Sequence, residues 1–150
     1  MLGDLTGKAF LDLYAGSGNV GLEALSRGAG FACFVESDAR LAGSIRTTLE
    51  QFGYAQRAEV LTRDVARGIA GIAQRGMTFD IIFADPPYDE GLVAKTLQGL
   101  AGGGILAREG LLVLQHSLRE MPEPLPEGKI SATDQRRYGD TVLSFFIPKP

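Results

Sequence analysis

Several residue types are scarce in this chain. Its 150 residues include one cysteine, one histidine and no tryptophan. A lone thiol, Cys33, can form no internal disulfide, so a disulfide scaffold is excluded; it lies in an apolar run and reads as a small buried hydrophobe. One imidazole, His116, without a second histidine or a cysteine pair, leaves no metal-ligand spacing, and no metal is expected. Positive charge is not in excess. Fifteen Lys and Arg stand against 18 Asp and Glu, for a net charge of −3. The whole chain therefore carries no electrostatic footprint for nucleic acid, and any such binding must come from a local patch, a further segment or a protein partner. No apolar run is long enough to cross a bilayer, so no membrane association is expected. Met1-Leu2-Gly3-Asp4 shows no basic region followed by an apolar one, so no secretory leader is expected and the cytoplasm is the expected compartment. Neither a repeat nor a low-complexity segment is present.

What is present suits one soluble globular domain: 45% hydrophobic and 22% charged residues in a length that can bury a single core. Strand and helix patterns alternate. Strands are expected at Ala9–Tyr14, Phe31–Glu36, Ala58–Thr62, Phe79–Ala84 and Gly110–Gln115. Helices are expected at Leu22–Arg27 with a stop at Gly28, from Asp38 to Gln51 with a stop at Gly53, at Val65–Gln74 and at Glu90–Leu100, with 102–104 as a glycine loop. The stretch 121–128 is rich in Pro and Glu and reads as a surface loop. Lys129–Arg137 and Thr141–Ile147, joined through Tyr138-Gly139-Asp140, lack a helix between them and should be antiparallel. The expected fold is α/β: a doubly wound, mostly parallel sheet with an antiparallel C-terminal hairpin.

The chain is organised around Ile81-Ile82-Phe83-Ala84-Asp85-Pro86-Pro87-Tyr88. A buried strand stops at a carboxylate, because Pro86 and Pro87 have no amide hydrogen to continue the ladder. The two prolines also stiffen the loop beyond the strand. Asp85 and a free carbonyl are paired acceptors, suited to the two N–H bonds of an amino group, and Tyr88 offers a face for a planar ring. An ordinary turn containing the same residues is the plain alternative.

Gly16-Ser17-Gly18-Asn19-Val20-Gly21 matches G-x-G-x-x-G after a strand, with the acid Glu36 about twenty residues on, the spacing of a dinucleotide site. An NAD-dependent oxidoreductase is therefore an alternative. Two features favour another cofactor. Asp12 lies just before the loop, where it would repel a pyrophosphate but could face a cationic amino group. No set of Tyr, Ser and Lys, or of His and an acid, stands out for hydride transfer. A cationic amino-acid end joined to an adenosine describes S-adenosylmethionine. Asp12 would face its methionine part, directly or through water. The Gly16–Gly18 amides would take its carboxylate, Glu36 its ribose hydroxyls, and Asp64 its adenine amine. Asp12 as a solvated strand-end acid and Asp64 as a helix cap remain open. Lys129, Arg136, Arg137 and Arg119 could make a phosphate patch or a solvated edge that resists strand pairing.

Asp12-Leu13-Tyr14-Ala15-Gly16-Ser17-Gly18, with Gly21-Leu22-Glu23-Ala24-Leu25-Ser26-Arg27-Gly28-Ala29 and Asp85-Pro86-Pro87-Tyr88, resembles the bacterial 16S rRNA guanine-N2 methyltransferases of the guanine-966 type. Tyr138-Gly139-Asp140-Thr141 looks like their C-terminal hairpin. The Asp-Pro-Pro-Tyr element is shared more widely, with N6-adenine and other amino-methyltransferases. The resemblance covers about Phe10 to Phe146. It implies a seven-stranded methyltransferase sheet and S-adenosylmethionine as donor. The implied acceptor is a guanine amine of 16S rRNA in a small-subunit assembly particle. It also implies a site made of Asp85, Pro86, Pro87 and Tyr88 for the chemistry. The implied cofactor residues are Asp12, Tyr14, Ala15, Gly16, Ser17, Gly18, Glu36, Ser37, Asp64 and Val65. Members carry an N-terminal segment of a few dozen residues before the first strand, which this chain is expected to lack; the oligomeric state is left open.

Overall fold

The computed structural model describes residues 3–122 and 128–150. The first five strands are mostly apolar, as strands flanked by helices on both faces tend to be. They are β1 (Ala9–Leu13), β2 (Phe31–Glu36), β3 (Ala58–Thr62), β4 (Phe79–Ala84) and β5 (Leu106–Ser117). All five are parallel. The antiparallel hairpin β6 (Ile130–Tyr138) and β7 (Thr141–Pro148) adds the last two, giving the order β3-β2-β1-β4-β5-β7-β6. Gly139 takes φ 64° at the first of the two turn positions between them, a conformation that only glycine enters without strain.

Two helices cover each face. On one face α1 (Asn19–Ser26) and α2 (Ala39–Gln51) pack Leu25, Ile45 and Leu49 onto Phe10, Phe34 and Phe83. On the other, α3 (Val65–Gln74) and α4 (Leu92–Gly103) pack Ile69, Ile72, Leu97 and Leu100 onto Leu11, Leu13, Phe79 and Ile82. The side-chain period of two sorts each strand between these layers. Phe10 and Asp12 point to the α1 and α2 side, and Leu11 and Leu13 to the other.

Element boundaries differ from the sequence expectation in informative places. β1 ends at Leu13, one residue early, because Tyr14 enters the left-handed region at φ 59°. α1 begins at Asn19 rather than Leu22, so the loop before it is only a few residues long. α4 starts at Leu92 and runs through Gly102 and Gly103; its stop is Gly104, at φ 66°. β5 begins at Leu106, with a register shift between Phe79 and Ile81 that absorbs the extra length. Of the expected loop 121–128, residues 123–127 lie outside the described residues. Cys33 is fully buried in β2, and burial pushes its thiol up to about 12, so it is inert at neutral pH. His116 is inside β5 and fully buried: Nδ1 donates to the Ser117 carbonyl at 2.9 Å, and Nε2 lies 2.7 Å from the Ser144 hydroxyl. It is a satisfied core side chain. No helix among the described residues is long and apolar enough to cross a membrane.

Candidate active site

β1 and β4 are neighbours, yet the chain leaves β1 for β2 on one side and reaches β4 from β3 on the other. Such a point of reversal opens a crevice beyond the carboxyl ends of the strands. A cavity of about 880 Å³ lies there. The sequence-expected residues lining it are Tyr14, Glu36, Ser37, Asp64, Val65, Asp85, Pro86, Pro87 and Tyr88. Residues from four separate stretches of the chain thus share one wall.

The glycine loop is shaped by packing. Gly21 has no room for a side chain: a Cβ there would run into the buried ring of Phe34, so α1 can seat on β2 only with glycine at that turn. Gly18 caps α1 at φ 81°, and a Cβ on it would meet Ile45 at 3.0 Å. Within the loop the Ala15 amide donates to the Val35 carbonyl at 3.0 Å and the Gly18 amide to the Ala15 carbonyl at 2.8 Å. Ala15, Gly16, Ser17 and Gly18 are not among the residues that line the cavity.

Glu36 is the most constrained acid of the site. It is buried, and its two oxygens each accept a backbone amide, Gly16 at 2.7 Å and Asp38 at 2.8 Å. The Gly16 amide, expected to meet a ligand carboxylate, is thus engaged by Glu36. Each carboxylate oxygen has two acceptor positions, so one per oxygen remains for a diol. Asp12 is buried and accepts the Gly21 amide at 3.0 Å, on the α1 side of the sheet, and does not line the cavity. Burial pushes its carboxyl up to about 7; the Gly21 amide opposes that rise, and the nearby Asp85 and Glu36 carboxylates add to it. Asp64 lines the cavity and also caps α3, accepting the Arg67 amide at 2.9 Å. Its other oxygen lies 3.7 Å from Arg67 Nε, so the expected helix cap is present. Tyr14 donates or accepts across the cavity floor to the Thr96 hydroxyl of α4 at 2.7 Å, and burial raises its phenol.

Asp85 follows the last ladder residue of β4, and its amide reaches back to the Leu13 carbonyl at 3.4 Å. Partial burial raises its carboxyl above the ordinary range. Tyr88 is 40% exposed, with its hydroxyl 3.3 Å from that of Thr141 at the hairpin tip. Gln115, Thr96, Lys95 and Glu90 line the cavity too, and no sequence motif points to them. For Gln115 one signal existed: an amide closing the apolar run Leu111–Leu114 at the same sheet edge as Asp85. The basic residues of the hairpin do not form one patch. Arg137 donates to the Gly139 carbonyl at 2.8 Å near the tip, Arg136 lies 3.6 Å from Asp134, and Arg119 lies 3.4 Å from Asp89. Lys129 sits at the opposite end of the β6–β7 pair.

Chemically, the cavity brings together a buried carboxylate, Glu36, with the Asp85 carboxylate and the Tyr88 ring. These residues fit S-adenosylmethionine and a flat amine-bearing acceptor. Comparison with known proteins agrees. The profile of a family described as "Conserved hypothetical protein 95" matches residues 1–147. YlbH of Bacillus subtilis, provisionally named an rRNA methyltransferase, is 33% identical over 136 residues, 91% of this chain and 73% of YlbH. Ribosomal RNA small subunit methyltransferase D of Escherichia coli K12 is 36% identical over 105 residues, 70% of this chain; the match spans 51%, about half, of that relative's length. The solved structure of yhhF from Escherichia coli, provisionally described as a methyltransferase, superposes with a TM-score of 0.82 at 28% identity, covering 97% of this chain and 77% of that one. The nicotinamide alternative is set aside by these matches, and the cofactor is S-adenosylmethionine. The chain belongs to the Conserved hypothetical protein 95 family, a family of S-adenosylmethionine-dependent rRNA methyltransferases.

Proposed function

We propose that this chain methylates the exocyclic N2 amine of a guanine in 16S rRNA, within a small-subunit assembly particle, with Asp85, Pro86, Pro87 and Tyr88 as the acceptor site. The observation that carries this reading is the sharing of one cavity by Glu36 and the Asp85–Tyr88 bracket. Held by Glu36 and Asp64, S-adenosylmethionine would supply an electrophilic methyl group with a thioether as its leaving group. The guanine amine is a poor nucleophile because its lone pair is delocalised into the ring. Asp85 and a carbonyl of the bracket, that of Pro86, accept its two N–H bonds, which favours a pyramidal nitrogen with the lone pair left free. Acceptors fixed in place before reaction stabilise the positive charge that develops there. The excess proton on nitrogen is then acidic and leaves through Asp85 or water. Alignment supplies much of the acceleration, up to roughly 7–11 kcal/mol in well-oriented reactions. Tyr88 stacks on the base, worth about 1–3 kcal/mol. A base in an RNA loop is easier to extrude than one in a duplex.

Incubation of small-subunit particles with labelled donor, followed by mapping of the modified fragment, tests this. A gain of one methyl on a guanine, resistant to chemistry that attacks N7 or N1 products, is expected. A methyl on adenine N6 would convert the enzyme to the adenine class that shares the Asp-Pro-Pro-Tyr element, and no transfer at all would remove the function.

A further inference from the structure

Gln115 occupies a place in the cavity that the methyl-transfer reading leaves unused. It is half-buried, lines the cavity, and no partner for its side-chain amide is found among the described residues. The contrast is Gln135 on β6, whose amide is spent on the Ser144 hydroxyl at 3.2 Å. The Gln115 backbone is held by the sheet, opposite Leu143 of β7, so its side chain is not needed to keep the strand in place.

Strand order says which part of a substrate it meets. Glu36 and Ser37 follow β2, Asp64 follows β3, Asp85 follows β4, and Gln115 belongs to β5. In the order β3-β2-β1-β4-β5 the cofactor acids lie on one side of Asp85 and Gln115 on the other. The last registered pair of β4 and β5 is Ala84 with Leu114. Asp85, just past the end of β4, and Gln115 on β5 are the next residues after that pair, so they lie side by side at the carboxyl edge of strands roughly 5 Å apart. A base whose amine reaches Asp85 therefore brings the neighbouring atoms of its ring towards Gln115.

We infer that Gln115 is the specificity-determining residue for the acceptor, its side-chain amide reading the N1–H and O6 edge of guanine beside the amine held by Asp85. The inference rests on the guanine reading of the site and sharpens it. Next to its amine, guanine presents a donor, N1–H, and then an acceptor, O6. A primary amide carries one acceptor oxygen and a two-donor nitrogen, and meets that edge at two points. Adenine, with its amine in the same place, offers an unprotonated N1 and then a C–H, hence one point. A site that hydrogen-bonds a substrate group discriminates strongly against an analogue lacking it, because its own polar atoms are left without partners.

The test uses two small-subunit rRNA fragments that differ only at the mapped acceptor, guanine in one and 2-aminopurine in the other. The analogue keeps the amine but has an unprotonated N1 and no O6. The wild-type enzyme should prefer guanine by at least about tenfold in kcat/KM. Gln115→Leu should bring that preference to within about threefold, and Gln115→Glu, which accepts from N1–H but cannot donate to O6, should give an intermediate value. S-adenosylhomocysteine affinity by calorimetry should match wild type in both variants. A guanine preference that survives Gln115→Leu overturns the inference. So does a loss of cofactor affinity, which would place Gln115 in the fold or the donor site. Failure of the wild type to methylate either fragment sinks the guanine reading itself.

Discussion

The two halves of the cavity are built differently. On one side, both lining acids are held by the protein's own backbone: Glu36 by two amides, Asp64 by the first turn of α3. On the acceptor side, Asp85 ends a strand stiffened by two prolines, Tyr88 is 40% exposed, and Gln115 faces the cavity. A donor site that serves one small molecule gains from preorganisation, since ordering costs are met on folding rather than on binding. On the proposed function, a site that takes a base from a large RNA needs open polar atoms and an accessible ring. The difference teaches that polar groups beyond β2 and β3 are engaged by backbone amides, whereas on the proposed function those beyond β4 and β5 stay open to the cavity.

That division can be broken, and the largest effect should come from the acceptor side. Asp85→Ala should reduce kcat by roughly 10²–10³-fold, the cost of removing one preorganised charge-stabilising group. Affinity for S-adenosylhomocysteine should stay within about threefold, and calorimetry checks that. Because burial raises the Asp85 carboxyl, and the ionised form is the acceptor, activity should fall as pH drops through a point above 3.8. A pH–rate profile with no such acid limb would detach Asp85 from the chemistry. On the donor side, Glu36→Ala should weaken cofactor binding by about 10- to 100-fold, from hydrogen bonds to a charged group of about 1.5–3 kcal/mol. Unchanged affinity by titration would strip Glu36 of its ribose role.

Smaller effects sharpen the contrast through stability. Gly21→Ala forces a methyl against the buried Phe34 ring and should cost about 1–3 kcal/mol in urea denaturation. Asp12 gives a readout through pH rather than through packing. Its folded carboxyl holds a proton up to about 7, whereas the unfolded one releases it near 3.8. The folded state binds more protons between these values, so stability is full below about pH 4 and declines as pH rises towards 7. The slope from this one group is at most about 1.4 kcal/mol per pH unit. Asp12→Asn should flatten it, and denaturation curves at pH 5 and pH 8 measure the difference. An equal slope in both proteins would show that Asp12 is ionised throughout.

Much of this was legible in order along the chain. Glycine, proline and capping residues punctuate helices and strands through local backbone geometry, which needs no tertiary information. Asp38 and Asp64 cap α2 and α3, and the expected bounds of β2, β3, α3 and β4 match those observed. Where boundaries moved, distant packing decided. Gly102 and Gly103 stay helical against their own propensity, directly after Leu100 and Ala101, which α4 buries in the core. Gly68 and Gly71 likewise sit inside α3. A Cβ on Gly68 would lie 2.8 Å from Val35, so the residue that weakens the helix also lets it lie close to β2.

The amino-acid order by itself determined the list of elements, the strand that ends at Asp85 and the glycine turn before α1, because dihedral limits and side-chain periodicity act within a few residues. Only the folded sheet decided that Asp12 is buried and accepts the Gly21 amide, that Glu36 occupies the Gly16 amide, and that Gln115 comes to stand beside Asp85. Those placements depend on which strands become neighbours. Register and burial are properties of the assembled layers, and no single stretch of chain contains them.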